Sequence, residues 1–168
     1  MMRMIAAIRP VRPEFSFLTG WDVVLTPMMI TGCDGGTNAS SNVVPELTRK
    51  LYDLNRAGRY EEAMVLQFRI QQLFDHMLNL YEFPDGFRMG AELRGFRMGH
   101  GRQPLTAKQE SYKESLAGIL QCMLSSNDLA PPPPGGCAPK SIGGSDLESI
   151  VFEVMNELER KGSLWKTR

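Results

Sequence analysis

The sequence predicts a parallel α/β architecture that is mostly helical by content. Three observations predict it. Residues 15–42 read as strand, helix, glycine-rich turn and second strand, the order that parallel α/β folds produce. Most of the chain beyond residue 42 instead carries helical spacing of its apolar residues. Only two strands are credible, and two parallel strands leave both faces and both edges of a sheet needing cover. A closed eight-stranded barrel takes about 250 residues, and this chain has 168. The expectation is therefore part of a larger barrel, or a sheet completed by another chain.

Taken in order, residues 1–8 place Met1, Met4, Ile5 and Ile8 on one helical face, and Pro10 stops the helix. No capping residue precedes it, a first hint of truncation. Residues 15–19 form an apolar run bounded by Pro13 and Gly20, as a buried strand requires. Asp22 stands at an N-cap position for a helix over 23–31, mildly kinked by Pro27 and ended by Gly32. Residues 34–36 read as a tight turn and 37–41 as a second strand of small residues.

Asn42 can cap the next helix, with Pro45 in its first turn, Leu47, Leu51 and Leu54 on one face, and Gly58 at its end. Residues 61–81 predict a longer helix, with Met64, Phe68, Leu73, Phe74, Met77, Leu78 and Tyr81 as its apolar positions. The segment GFRMG occurs twice, at Gly86 and Gly95, too short a duplication for a repeat fold. A short helix is expected over 89–94, and another from Thr106, with Glu110 near its cap and a stripe through Tyr112, Leu116, Ile119, Leu120 and Met123. Residues 125–146 are rich in Pro and Gly and read as a linker. Residues 147–160 predict a final amphipathic helix. The domain reading is 1–124 as barrel part with helical extension, 125–146 as linker and 147–168 as helical tail.

Lys plus Arg and Asp plus Glu each number 19, so no bulk charge draws the chain to nucleic acid or membrane. Cys33, Cys122 and Cys137 form no close pair, and three thiols in a reducing cytoplasm are expected. No run approaches the ~18 apolar residues of a membrane span, and the N-terminus lacks a signal-peptide core.

The run FLTGWDVVLTPMMITGCDGGTNASSNVVPEL, continuing through LTRKLYDLNRAGRYEEAMVLQFRIQQLF and later FPDGFRMGAELRGF and RQPLT, resembles the C-terminal part of the dihydrodipicolinate synthase / N-acetylneuraminate lyase family. The resemblance covers roughly residues 1–123. It implies the last two strands of a (β/α)8 TIM barrel with the helices that follow, 15–19 as strand seven and 37–41 as strand eight. Such enzymes place their site at the C-terminal ends of the strands. The family forms a Schiff base between pyruvate and a lysine on strand six; a strand-five tyrosine relays protons and a threonine pair binds the keto-acid carboxylate. All would lie upstream of this chain. None of Lys50, Lys108, Lys113, Lys140, Lys161 and Lys166 stands at a predicted strand end, so no catalytic residue is expected here.

What the resemblance leaves is substrate holding. Gly20 and Asp22 match the glycine and acid that hold substrate hydroxyls in the sialate-lyase-like branch; Val23 stands where a second acid is frequent. Ser40 and Ser41 are further substrate-binding candidates. Each has a plainer reading: Asp22 as a helix cap, the serines as partners of strand-end backbone, and Trp21 as packing instead of pocket wall. Arg88, Arg94, Arg97 and Arg102 read as an anion site or as paired surface groups. His76 and His100 lack metal partners.

The expected function is a fragment of a Schiff-base lyase or aldolase acting on pyruvate and 2-keto acids, inactive alone. It requires no cofactor and no metal, and takes a small 2-keto acid in the complete enzyme. Its expected protein partner is a second copy or a complementing N-terminal half. The alternative is a non-enzymatic interaction module that binds a partner through its C-terminal helical region.

Overall fold

A computed structural model describes residues 1–99 and 101–137. One compact unit spans Met1–Pro133; a second begins at Pro134. The helix expected over 147–160 lies outside the described residues.

Helix α1 spans Met2–Ile8, and only Ile5 of its apolar face is buried; Met1 and Met4 are exposed. Strand β1 is Leu18–Thr19 and strand β2 is Gly35–Gly36. They pair in parallel, with Leu18 opposite Gly35 and Thr19 opposite Gly36. Between them lie a 3₁₀ turn at Asp22–Val24 and helix α2 at Leu25–Ile30. Because α2 starts afresh at Leu25, Pro27 falls in its first turn, where a missing N–H is tolerated.

The second strand departs from the expectation. Residues 37–41 are not a strand: Ala39–Asn42 is a 3₁₀ turn, and the glycine pair expected to form a turn is the strand. The reason is steric. Gly36 is the tight position of the pair, where a Cβ would meet Asn38 Oδ1 at 1.9 Å and Leu25 Cδ1 at 3.1 Å, whereas a Cβ at Gly35 would make only ordinary contact with Leu18 and the Tyr52 ring. The first strand is shorter than expected, but its ladder reaches further: Asp34 N–H donates to Phe17 O, and Thr37 N–H to Thr19 O, both at 2.8 Å.

The rest is helical. Helix α3 is Pro45–Arg56, α4 is Tyr60–Asn79, α5 is Asp85–Leu93, α6 is Ala107–Ser111 and α7 is Lys113–Ser125. Three helix ends use one device. After α2, α3 and α5 a glycine with positive φ (Gly32, Gly58, Gly95) turns the chain left-handed. Its N–H and that of the next residue then satisfy orphan carbonyls of the last turn, as Gly58 N–H does for Asn55 O and Arg59 N–H for Leu54 O. Thr106 opens α6 with a capping box, and its partner is Gln109, one position before the expected Glu110.

The main core packs α3, α4, α5 and α7 through residues including Leu47, Leu51, Ile70, Leu73, Met77 and Leu116. Each such fully buried side chain contributes about 1.5–3 kcal/mol of transfer free energy. On α4 the buried stripe runs Ala63, Leu66, Gln67, Ile70, Leu73, Phe74 and Met77, so Phe68, expected in it, lies 60% exposed. A separate small cluster joins Ile5, Phe17 and Cys33. Cys33 is a free thiol, whereas Cys122 and Cys137 are not free thiols, a departure from the three thiols expected. Among the described residues no helix is long and apolar enough to cross a membrane.

The small cluster is tied polar-side by Asp34. Its Oδ2 accepts from Arg9 Nη2 and from Phe17 N–H, both at 2.8 Å. The Arg9 guanidinium first, and then the Phe17 amide, hold this carboxyl below the usual carboxylate range. A depressed folded-state pKa contributes stability above the ordinary carboxylate range, and that stability is lost as pH falls through the depressed value. Asp34→Asn is therefore expected to be less stable than the native chain at pH 7 and to approach it at low pH. Urea unfolding of both chains at each pH checks this; a gap independent of pH would exclude it.

Candidate functional site

Parallel pairing puts the C-terminal ends of β1 and β2 on the same side. The chain leaves β1 through Gly20, Trp21 and Asp22, and leaves β2 through Thr37 and Asn38 into the 3₁₀ turn at 39–42. These two exits and helices α4 and α5 enclose a cleft of about 540 Å³. Gly20, Thr37, Asn38, Ser41 and Asn42 form one wall; Trp21, Phe74, Leu78, Phe83 and Phe87 form the other.

Asp22 locks the two exits together. Its carboxylate is 2% exposed. One oxygen accepts from Ser40 N–H at 2.6 Å and the other from Ala39 N–H at 3.1 Å. Its side chain makes no cap to its own helical turn. It satisfies instead the first amides of the turn across the cleft, which have no partner within that turn. Charge-assisted bonds of this kind are roughly twice as strong as neutral ones.

The Asp22 backbone is fixed from behind. Gln67, 1% exposed in the middle of α4, donates from Nε2 to Asp22 O at 2.9 Å and accepts at Oε1 from Thr26 N–H at 3.1 Å. Asn55 of α3 donates to Thr26 Oγ1 at 3.0 Å and to Leu51 O at 2.8 Å. Gln67 and Asn55 were not legible as site-supporting residues, because hydrophobic periodicity passes over a polar residue in a core stripe. The available signal is the amide itself, since a side chain of this type inside such a stripe must find partners.

The expected site residues fall as follows. Gly20, Asp22 and Ser41 line the cleft; Ser40 does not. Ser40 is fully buried, its hydroxyl has no hydrogen-bond partner among the described residues, and its contribution to Asp22 is its backbone amide. The Ser41 hydroxyl donates to Asn38 O. A Cβ at Gly20 would lie 3.7 Å from Thr37 Oγ1, in ordinary contact. Trp21 is half exposed on the cleft and packs edge-on against Phe74 at 5.3 Å, so it serves both as wall and as packing.

Two of the four arginines weighed as an anion site are committed elsewhere. Arg94 pairs with Glu46, and Arg88 donates to Met98 O and Gly99 O at 2.8 and 3.0 Å. Among the described residues no group of His, Cys, Asp and Glu is placed to hold a metal ion. Lys50 lies on α3 and donates to Asn127 at 3.0 Å; Lys108 and Lys113 lie on α6 and α7. No described lysine stands at a strand end.

A family model described as the dihydrodipicolinate synthetase family matches residues 1–123. The chain is 33% identical over 124 residues to a 4-hydroxy-tetrahydrodipicolinate synthase of Chlorobium limicola, covering 73% of this chain and 41% of that protein. It is 30% identical over 127 residues to an uncharacterized DapA-like lyase of Thermofilum pendens, covering 71% and 40%. Among solved structures, a variant of the Sulfolobus solfataricus 2-keto-3-deoxygluconate aldolase superposes with a TM-score of 0.63 at 20% identity, over 73% of this chain and 43% of that one. The N-acetylneuraminate lyase of Fusobacterium nucleatum gives 0.60 at 20% identity, over 68% and 40%. At such identities the likeness is one of fold, that of TIM-barrel aldolases. The chain spans about two fifths of the length of the curated relatives it matches.

Proposed function

The chain belongs to the dihydrodipicolinate synthetase family, and from that premise we propose that it forms the substrate-holding edge of a Schiff-base lyase or aldolase acting on pyruvate and other 2-keto acids. The observation that carries this reading is the Asp22 lock: two adjacent parallel strands end at one cleft, and a buried carboxylate joins their exits. Catalytic groups of barrel enzymes come from such strand ends.

The nucleophile comes from another strand. An amine that attacks the pyruvate carbonyl must be unprotonated and aimed into the barrel mouth, and burial beside cationic or apolar neighbours lowers its pKa to that end. The described lysines sit on helices outside the cleft. The amine adds to the carbonyl, water leaves, and the resulting iminium withdraws electrons from the neighbouring carbon–carbon bond. This chain's part is to hold the rest of the substrate while that happens. The two-stranded sheet requires partner strands on its edges, so the complete site needs a polypeptide carrying the preceding strands of the barrel.

Reduction with sodium borohydride in the presence of pyruvate tests this. Intact-mass measurement is expected to find no covalent adduct on this chain alone. Co-expressed with a family segment carrying the first six strands, the pair is expected to trap pyruvate on the partner segment's lysine. An adduct on the isolated chain, or none on an assembled pair, would sink the reading.

A further inference from the structure

Resting on the reading of the cleft as a substrate site, we propose that Gln67 is a positioning residue of that site: its carboxamide takes over the capping of α2, and this leaves the Asp22 carboxylate free to join the two strand exits. Local sequence favours another use of Asp22. A carboxylate just ahead of residues 23–31 caps that helix, and in an unbroken helix Thr26 N–H donates to Asp22 O, four residues back. Neither bond forms. Thr26 N–H donates to Gln67 Oε1 at 3.1 Å, and Asp22 O accepts from Gln67 Nε2 at 2.9 Å and from Leu25 N–H.

The carboxamide thus replaces one rung of the helical ladder with two bonds of its own. A side chain inserted in this way interrupts a helix. The interruption is at Val24, whose φ of −118° and ψ of 16° lie outside the helical region. Val24 stands at the N-cap of α2, and its side chain offers no acceptor. The orphan amide of Thr26 therefore takes its acceptor from α4. Asn55 steadies the same residue from α3, donating to Thr26 Oγ1 at 3.0 Å.

Burial makes this arrangement selective. Asp22, Thr26 and Gln67 are all buried, so solvent offers no substitute partner, and an unmatched buried polar group is costly. With Gln67 in place, the turn is satisfied without the Asp22 side chain, which accepts from Ala39 N–H and Ser40 N–H instead. Without Gln67, the turn from Asp22 to Thr26 closes into ordinary helix and the carboxylate goes back to its own first-turn amides. The two exits then lose the bonds that join them. Gln67 lies 45 residues from Asp22 in the sequence and does not itself line the cleft. The helical extension thereby sets the shape of a site formed at the strand ends.

Hydrogen exchange at the Ala39 and Ser40 amides of the full chain tests this. Gln67→Met keeps the length of the side chain and loses both amide bonds. It is expected to speed exchange at those two amides at least about tenfold, the size of a lost charge-assisted bond, and to leave Leu51 and Ile70 unchanged. Gln67→Glu keeps an acceptor for Thr26 N–H in either protonation state and is expected to restore most of the protection. Adding Asp22→Ala to Gln67→Met is expected to change Ala39 and Ser40 no further, because both substitutions act through one carboxylate; independent effects would multiply. Four results would each overturn the assignment: native exchange at the two amides in Gln67→Met, equal acceleration at Leu51 and Ile70, Gln67→Glu exchanging like Gln67→Met, or effects that multiply in the double variant. The borohydride experiment reads lysine chemistry alone, so either proposal can fail while the other stands.

Discussion

Asp22→Ala is expected to lower folding stability by about 3 kcal/mol, because it leaves one buried and one part-buried backbone amide without an acceptor. The donors are Ala39 N–H and Ser40 N–H, bound now at 3.1 and 2.6 Å. Each unsatisfied buried group costs about 1–3 kcal/mol. Partial relaxation of the 39–42 turn toward water offsets some of that sum. Asp22→Asn discriminates further. An amide offers one acceptor and one donor, so one amide keeps its partner while the other faces an N–H group. Its expected loss is smaller than that of alanine. Urea unfolding measures both, and hydrogen exchange at Ala39 and Ser40 locates the effect. Alanine and native chains with equal stability and equal exchange at those two amides would show that the lock does not form.

Gly86→Ala is expected to be at least as damaging, and its sign is not the one helix propensity gives. Gly86 lies in the first turn of α5, where alanine is favoured over glycine by about 1 kcal/mol. A Cβ there, however, would sit 1.9 Å from Met77 O and 2.6 Å from Met77 C. Those are backbone atoms of α4 and cannot swing aside, so α5 itself must move by more than an ångström. Overpacking costs about 1–3 kcal/mol and sometimes more, which outweighs the propensity gain. Phe87, the next residue, would move with the helix and open the aromatic wall. The twin glycine of the other GFRMG copy supplies the control. Gly95 has nothing within 4 Å of its Cβ position and a φ of +93°, so Gly95→Ala meets only the left-handed backbone cost of about 1–2 kcal/mol. Thermal unfolding of the two variants should rank Gly86→Ala as the less stable; the reverse order would mean that α4 and α5 do not approach this closely.

Helix positions were legible because their signals are local. Leu47, Leu51 and Leu54 mark the buried face of α3, and Gly58 marks its end, since spacing and a left-handed glycine act within one or two turns. The family was legible through ordered runs of residues. The second strand was not. Gly35 and Gly36 favour a turn by their own conformational freedom, and what makes them a strand is pairing with Leu18 and Thr19, earlier in the sequence. Phe68 failed for a related reason: packing buries the α4 stripe that runs through Leu66, Gln67 and Ile70 instead. For the site, residue type found Asp22 but not its task. A carboxylate before a helix reads as that helix's own cap, and only the third dimension shows it capping the neighbouring turn. Ser40 entered as a hydroxyl and matters as an amide.

The separation of Ile5, Phe17 and Cys33 from the main core has a consequence for how the chain breathes. Three buried residues carry far less apolar area than the helical core, and regions with few buried contacts open with lower free energy than the whole molecule. The segment holding α1 and the start of β1 is therefore expected to unfold as a unit of its own while α3, α4 and α7 remain protected. Native-state hydrogen exchange would show this as two groups of amides, with Phe17 and Asp34 exchanging long before Leu51 and Ile70. Uniform protection across these four would mean a single cooperative block. In the two-block case the strand pair is the adaptable part of the chain, free to anneal onto other strands while the helical core stays intact.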